Sequence, residues 1–244
     1  MSYIENPKTK GSGIICAIPQ TGTCPNDCED CFFQSGRSYL EPLDENLPNL
    51  PTLEMAQNHV VRVNDGNDSN VDKKTVLELT KDYPFRFYNT AIPHNFETFD
   101  APVVLTLNPG NMTDREIYYV HPIPKNLMFV RFRTNMWNVE SGLIDKAHEY
   151  YAKKKVPLVL TFMAYYKLTI PEEYRKYYVE RKRTLNSYWA ITTEGWERVM
   201  SLYKYDHYVY SCGKIEGEKG ITGCARCGNC LREFFATKER MENK

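Results

Sequence analysis

Short apolar runs, each closed by turn-forming residues, recur along the first two thirds of the chain: GIICAI (13–18), HVVRV (59–63), FRFYN (85–89), PVVLTL (102–107), LMFVRFR (127–133) and VPLVLTF (156–162). Their length and β-branched content predict strands. Runs such as PVVLTL are apolar at consecutive positions, the pattern of strands covered on both faces in a parallel sheet. Between several of them lie amphipathic stretches that predict helices. One is NVDKKTVLELTKDY, with apolar Val76, Leu77 and Leu79 behind an Asn70 cap; another is VESGLIDKAHEYYAKKK, ahead of the sixth strand. Strand then helix, repeated, predicts the α/β class and, within it, a partial (β/α)6-type barrel with a C-terminal Cys-rich extension.

The segment 41–53, EPLDENLPNLPTL, carries three prolines and little periodicity, which predicts a loop packed across the surface. After residue 170 the pattern changes. PEEYRKYYVERKR predicts a helix, TTEGWERVMSLYK a second one capped by Thr192 or Thr193, and a Gly/Cys-rich knuckle follows. The expected organisation is a barrel-like unit over residues 1–190 and a C-terminal helix with a four-Cys extension over 191–244.

Composition narrows the function classes. With 31 Lys plus Arg against 31 Asp plus Glu, no global field draws in nucleic acid or an anionic membrane, so a nucleic-acid partner needs a local patch. YRKYYVERKRTLNSYW interleaves bases with tyrosines in the manner of such a patch, and a solvated amphipathic helix explains it more cheaply. The N-terminus lacks an apolar signal core and no run reaches membrane-spanning length, which predicts a cytoplasmic protein without a membrane partner. No Walker loop, GxSxG or zinc-hydrolase histidine spacing is present. Eight cysteines in a reducing compartment, gathered towards the two ends of the chain, point to metal ligation rather than disulfides.

TGTCPNDCEDCFF holds Cys24, Cys28 and Cys31 within eight residues, a spacing that lets one loop wrap one metal centre. Three thiolates ligate three irons of a [4Fe–4S] cluster and leave the fourth open to a substrate or cofactor. A zinc site is the rival, with Cys16 as fourth ligand, although Cys16 sits inside an apolar strand run.

The CxxxCxxC spacing and its place after the first strand resemble the radical S-adenosylmethionine (radical SAM) superfamily. That resemblance implies that the open iron binds the amino and carboxylate groups of SAM and that the reduced cluster cleaves it to a 5′-deoxyadenosyl radical, which abstracts hydrogen from a substrate. It also implies a reductant such as flavodoxin or ferredoxin. The residue before the third cysteine, commonly aromatic in the family, is Asp30 here, so Phe32 or Phe33 would flank the adenine; Phe33 is the candidate carried forward.

The second strand runs into NDGNDS, which puts Asp65, Gly66, Asn67 and Asp68 at the strand end where the family grips SAM. An Asn/Asp/Gly turn capping the next helix explains the same letters. Residues 61–91 also resemble phage-encoded proteins of the gp88 type, a likeness that carries no activity with it. TLNPGN and RFRTN add Asn108, Arg131, Arg133, Thr134 and Asn135 as candidates for the SAM carboxylate and ribose, with strand alternation allowing only some to face inward.

YSCGKIEGEKGITGCARCGNCLREFF supplies four further thiols, Cys212, Cys224, Cys227 and Cys230, among five glycines. Four thiolates close a site, and both a second [4Fe–4S] cluster and zinc accept that set. The segment resembles the auxiliary-cluster extensions of many radical SAM enzymes, which favours the cluster. The expected partner is a small-molecule, nucleotide or peptide substrate. The rival reading is a zinc-stabilised nucleic-acid or protein-binding module with two Cys₄ sites.

Overall fold

The computed structural model describes residues 2–26, 28, 31, 33, 38–109, 120–182, 187–213 and 223–243. All six expected strands are present: β1 Ile14–Ala17, β2 Val60–Val63, β3 Arg86–Thr90, β4 Val103–Leu107, β5 Leu127–Thr134 and β6 Leu158–Phe162. Two more, β7 Tyr178–Lys182 and β8 Ser187–Ile191, form a separate antiparallel pair, and β9 Val209–Ser211 joins the main sheet. That sheet has seven strands in the order β1-β2-β3-β4-β5-β6-β9, every neighbouring pair parallel. The fold is α/β.

Helices α1 Leu53–Ala56, α2 Lys73–Thr80, α3 Met136–Glu140, α4 Leu143–Tyr151 and α5 Thr193–Ser201 lie in the connections. Their buried side chains, among them Val76, Met136, Ile144 and Val199, meet one face of the sheet, where Val61, Val63, Leu105, Leu107, Val130, Phe132, Leu158 and Leu160 form the large core. Successive strand residues alternate between faces. Val60, Phe87, Val104, Phe129 and Val159 therefore line the opposite face, where Phe234 of α7 (Asn229–Glu242) packs on them at 1% exposure. Arg240 of α7 donates to the Lys125 and Leu127 carbonyls at the N-terminal edge of β5. A short helix, α6 Cys224–Cys227, precedes α7. Because α6 and α7 carry three of the four C-terminal cysteines, we call this second surface the thiol face.

Three expectations need correction. PEEYRKYYVERKR is not a helix: Glu172–Tyr177 makes 3-10 turns and Tyr178–Lys182 is strand β7. Tyr178 is the reason, buried at 4% with its ring 6.0 Å from Trp137 and 5.9 Å from Tyr165, an aromatic anchorage that overrides local helix propensity. The cap of α2 is not Asn70; the helix begins after Asp72, and Asn70 donates instead to the His94 carbonyl. The knuckle after residue 211 is largely helical in its described part, and strand β9 before it pairs with β6. Thr192 does cap α5, accepting from the Gly195 amide at 3.1 Å. The 41–53 segment packs as expected: Asn49 exchanges two backbone hydrogen bonds with Ile18, and Leu40 and Leu47 close a small core over Phe33.

Among the described residues no helix is long and apolar enough to cross a membrane.

Candidate metal and cofactor site

The Cys24–Cys31 loop leaves the C-terminal end of β1, the end at which parallel α/β sheets place their chemistry. Cys31 closes a turn with its amide on the Cys28 carbonyl at 3.1 Å. The turn after β2 holds the loop in place. Asn67 donates to the Gly22 carbonyl at 2.8 Å, and Asn26, inside the motif, donates to Asp68 Oδ2 at 3.0 Å. The Phe33 ring lies directly on Gly66, where a Cβ would stand 1.9 Å from it; glycine is the residue that admits the ring. From across the sheet, Asn108 at the end of β4 donates to Cys28 Sγ at 3.5 Å.

Asp68 is the hub of this arrangement. Oδ1 accepts from Thr90 Oγ1 and the Asn70 amide, Oδ2 from Asn26 and the Ala91 amide. Burial raises its pKa, against these four donors. Asp65 is similarly engaged, accepting from Asn6, Arg62 and Tyr39. The NDGNDS turn thus grips the cysteine loop and the strand below it. Burial pushes the Cys24 thiol up to about 11, and the nearby Asp68, Cys28 and Cys31 push in the same direction.

The other candidates divide by face. Leu107 pairs with Phe132, so Asn108 and Arg133 are cross-strand neighbours on the thiol face, and Arg131 lies on the same face two residues earlier. Asn108 Oδ1, Arg133 Nη1, Asn89 Oδ1 and Thr161 Oγ1 are buried with no hydrogen-bond partner, so this face presents polar atoms that the fold leaves unmet. Thr134 points the other way, fully buried and donating to the Phe132 carbonyl. Asn135 is spent as the cap of α3, in a reciprocal box with Asn138. Asp30, Phe32, Gly217 and Gly220 lie outside the described residues.

The C-terminal thiols sit on regular structure. Cys224 and Cys227 occupy one turn of α6, Cys230 follows on the first turn of α7 after left-handed Gly228, and Cys212 succeeds β9. Asn229 donates to the Ser211 carbonyl at 3.1 Å and the Cys224 amide to Lys8 O at 3.2 Å, tying both ends of the group to the fold. Burial pushes Cys230 up to about 12, with the nearby Cys212 adding to it and Arg131 and Arg62 opposing. All four cysteines keep some exposed surface.

Among the described residues, no three His, Cys, Asp or Glu side chains converge on a point that would hold a lone metal ion. Cys16 is fully buried in β1, its sulfur 3.8 Å from Thr9 Oγ1 and beside Arg62 and Asp65. A cavity of about 470 Å³ is lined by Lys155, Asp206, Tyr210, Asn229, Arg232 and Glu233.

Asp68, Gly66 and Asn67 were legible as candidates, although the contacts they make are to the loop. Asn26, Asn6, Arg62 and Gln20, which donates to the Asp68 carbonyl at 2.9 Å, escaped sequence reasoning. For Arg62 a signal existed: a charged residue in the middle of the otherwise apolar strand VVRV. Comparison with family models, with curated proteins and with solved structures gave no match.

Proposed function

We propose that this chain is a radical SAM enzyme whose catalytic cluster is held by Cys24, Cys28 and Cys31. One observation carries the reading. The loop bearing the three cysteines leaves the C-terminal end of the first strand of an all-parallel, sequentially ordered sheet and meets Asn108 at the end of the fourth. The donor set fits a [4Fe–4S] cluster with one iron open. The unmet polar atoms of Asn108, Arg133, Asn89 and Thr161 fit a zwitterionic, hydroxyl-rich cofactor such as SAM. When bound, cluster and cofactor supply reductive cleavage of the SAM sulfonium and hydrogen-atom abstraction from a substrate. Arg133 and Asn108 would hold the SAM polar groups, while Asp68, Asn67 and Gly66 keep the thiol loop in register.

A partial barrel is supported by the order of the sheet: seven parallel strands run in chain order with helices in the connections, the arrangement from which sequential crossovers build a barrel. The four C-terminal cysteines take a second [4Fe–4S] cluster on this reading.

Anaerobic purification with iron and sulfide quantification, then dithionite reduction with SAM and detection of 5′-deoxyadenosine, tests the proposal. Cleavage that disappears in Cys24→Ala, Cys28→Ala or Cys31→Ala, with Cys16→Ser retaining the N-terminal iron, supports it. Bound zinc, no cleavage and loss of the N-terminal metal in Cys16→Ser would move the protein to the binding-module class.

A further inference from the structure

The register of the sheet draws one polar row across the thiol face. Leu107 pairs with Phe132, Arg133 with Thr161 and Leu160 with Ser211, so Asn108, Arg133, Thr161 and Cys212 stand side by side at the C-terminal ends of β4, β5, β6 and β9. The row begins at Cys28, whose Sγ accepts from Asn108, and ends in the other thiol group. Asn89 of β3 lies lower on the same face, paired with Val104. What these side chains leave unmet sorts by position. Asn89 and Asn108 spend their amide nitrogens on the Val63 carbonyl and on Cys28 Sγ, and the atom each leaves buried without a partner is an acceptor, Oδ1. Arg133 and Thr161 leave donors, Nη1 and the Oγ1 hydroxyl. β4, β5 and β6 contain no Asp or Glu, so these strands supply no carboxylate to meet them. Both side chains are only half-buried, which leaves the row open to approach at the strand ends.

Acceptors on the β3–β4 side suit a cation, and donors on the β5–β6 side suit an oxyanion. One α-amino acid cannot serve both ends. Its ammonium and carboxylate share a single carbon, whereas Asn108 and Thr161 are two strand spacings apart, roughly 10 Å. With the SAM ammonium on the asparagine side, beside Cys28, the SAM carboxylate reaches Arg133 and no further. That narrows the cofactor's share of the unmet atoms to Asn89, Asn108 and Arg133, and the Thr161 hydroxyl belongs to a second ligand. We infer that Arg133 and Thr161 anchor an oxyanion of the substrate, a carboxylate or a phosphate group, at the Cys212 end of the row. That this ligand is the substrate rests on the radical SAM reading; that it is an anion rests on the strand register and the unmet donors.

The test is calorimetric titration of the iron-loaded full chain, kept anaerobic, with inorganic phosphate and with acetate, before and after saturation with SAM. At least one of the two anions is expected to bind with SAM in place, and the tighter of them names the substrate group. Thr161→Val keeps the shape and removes the hydroxyl; it is expected to weaken that binding roughly tenfold, and Arg133→Met to abolish it. Thr134→Val, on the opposite face of the neighbouring strand, is the control and leaves binding unchanged. Thermal midpoints of the anion-free protein give a second readout. An unmet buried hydroxyl costs the fold, so Thr161→Val holds or raises the midpoint, while Thr134→Val, which loses its bond to the Phe132 carbonyl, lowers it. No binding of either anion, equal binding by Thr161→Val, displacement of the anion by SAM, or a lowered midpoint in Thr161→Val would each overturn the inference. 5′-Deoxyadenosine formation by the unmodified chain is read separately. Cleavage without anion binding sinks the anchor alone; anion binding without cleavage sinks the radical SAM reading while the anion site stands.

Discussion

The two cysteine groups, which the proposed function reads as two metal sites, are built in opposite ways. Cys24, Cys28 and Cys31 sit on a loop whose described residues form no helix beyond an isolated turn, held by reach from elsewhere: Asn67 to Gly22, Asp68 to Asn26, Phe33 on Gly66, Asn108 to Cys28. Cys224, Cys227 and Cys230 sit on consecutive helical turns that lead into α7, whose Phe234 is part of the core. On the proposed reading, the loop would leave one coordination position to a cofactor without disturbing the sheet, whereas the helical group would not change its ligands without disturbing α7. An open catalytic centre belongs on the first kind of support and a closed, enclosed one on the second.

The sharpest way to break that contrast is at Gly66. A methyl group there overlaps the Phe33 ring at 1.9–2.1 Å, and Phe33 is confined by Ile18, Leu40 and Leu47. Gly66→Ala is expected to unseat the N-terminal loop at a cost of about 1–3 kcal/mol, the range for overpacking. Chemical denaturation measures that cost. Iron analysis should show the N-terminal cluster lost and the C-terminal metal retained. Loss of both metals would mean that the two supports are one cooperative unit and that the contrast is false.

Why this contrast was only half visible in the sequence follows from the range of the contacts. Cysteine spacing is local and announced both groups, and the apolar runs announced six strands because consecutive buried residues leave little alternative. β9 escaped because VYS is three residues long and alternates with a polar tyrosine and serine. β7 was mistaken for helix because ERKR satisfies helical charge patterning, while the aromatic cluster that fixes it comes from Trp137 and Tyr165. Leu231, Phe234 and Met241 do repeat at helical spacing, so α7 was legible and hidden only by the glycines before it. The hydrogen-bond partners of the thiol loop are 42 to 80 residues away, and no local pattern reports them.

Asp68→Asn asks whether the hub itself or merely its bulk secures the loop. The amide keeps the shape and replaces one acceptor oxygen with a donor, so either Thr90 and the Asn70 amide or Asn26 and the Ala91 amide face a nitrogen. Leaving buried donors unmet costs about 1–3 kcal/mol. The prediction is a loss in that range by denaturation, with reduced iron in the N-terminal loop and normal iron retention by the C-terminal group. Unchanged iron in the N-terminal loop would show that Gly66 and Asn67 suffice to hold it.

The finest test is a matched pair, since each thiol region is tied down by one asparagine amide on a backbone carbonyl: Asn67 on Gly22 at 2.8 Å, Asn229 on Ser211 at 3.1 Å. Alanine removes that bond at either position, and at Asn67 also the 2.9 Å bond that its Oδ1 accepts from the Asp68 amide; each is worth about 0.5–1.5 kcal/mol at most and less where water replaces the lost partner. The two losses should differ most in their reach. Asn67→Ala is expected to speed amide exchange in the Cys24–Cys31 loop and leave α7 protected, because the loop moves without the sheet. Asn229→Ala loosens the start of a helix that is packed through Phe234 on Val60, Phe87 and Val104, so any opening there must share the stability of the core. Hydrogen exchange followed by mass spectrometry reads both. Faster exchange confined to the substituted loop in the first variant, and a small uniform change across α7 and β9 in the second, is the signature of one hinged and one built-in thiol site; local loosening in both would reduce the difference between them to ligand number alone.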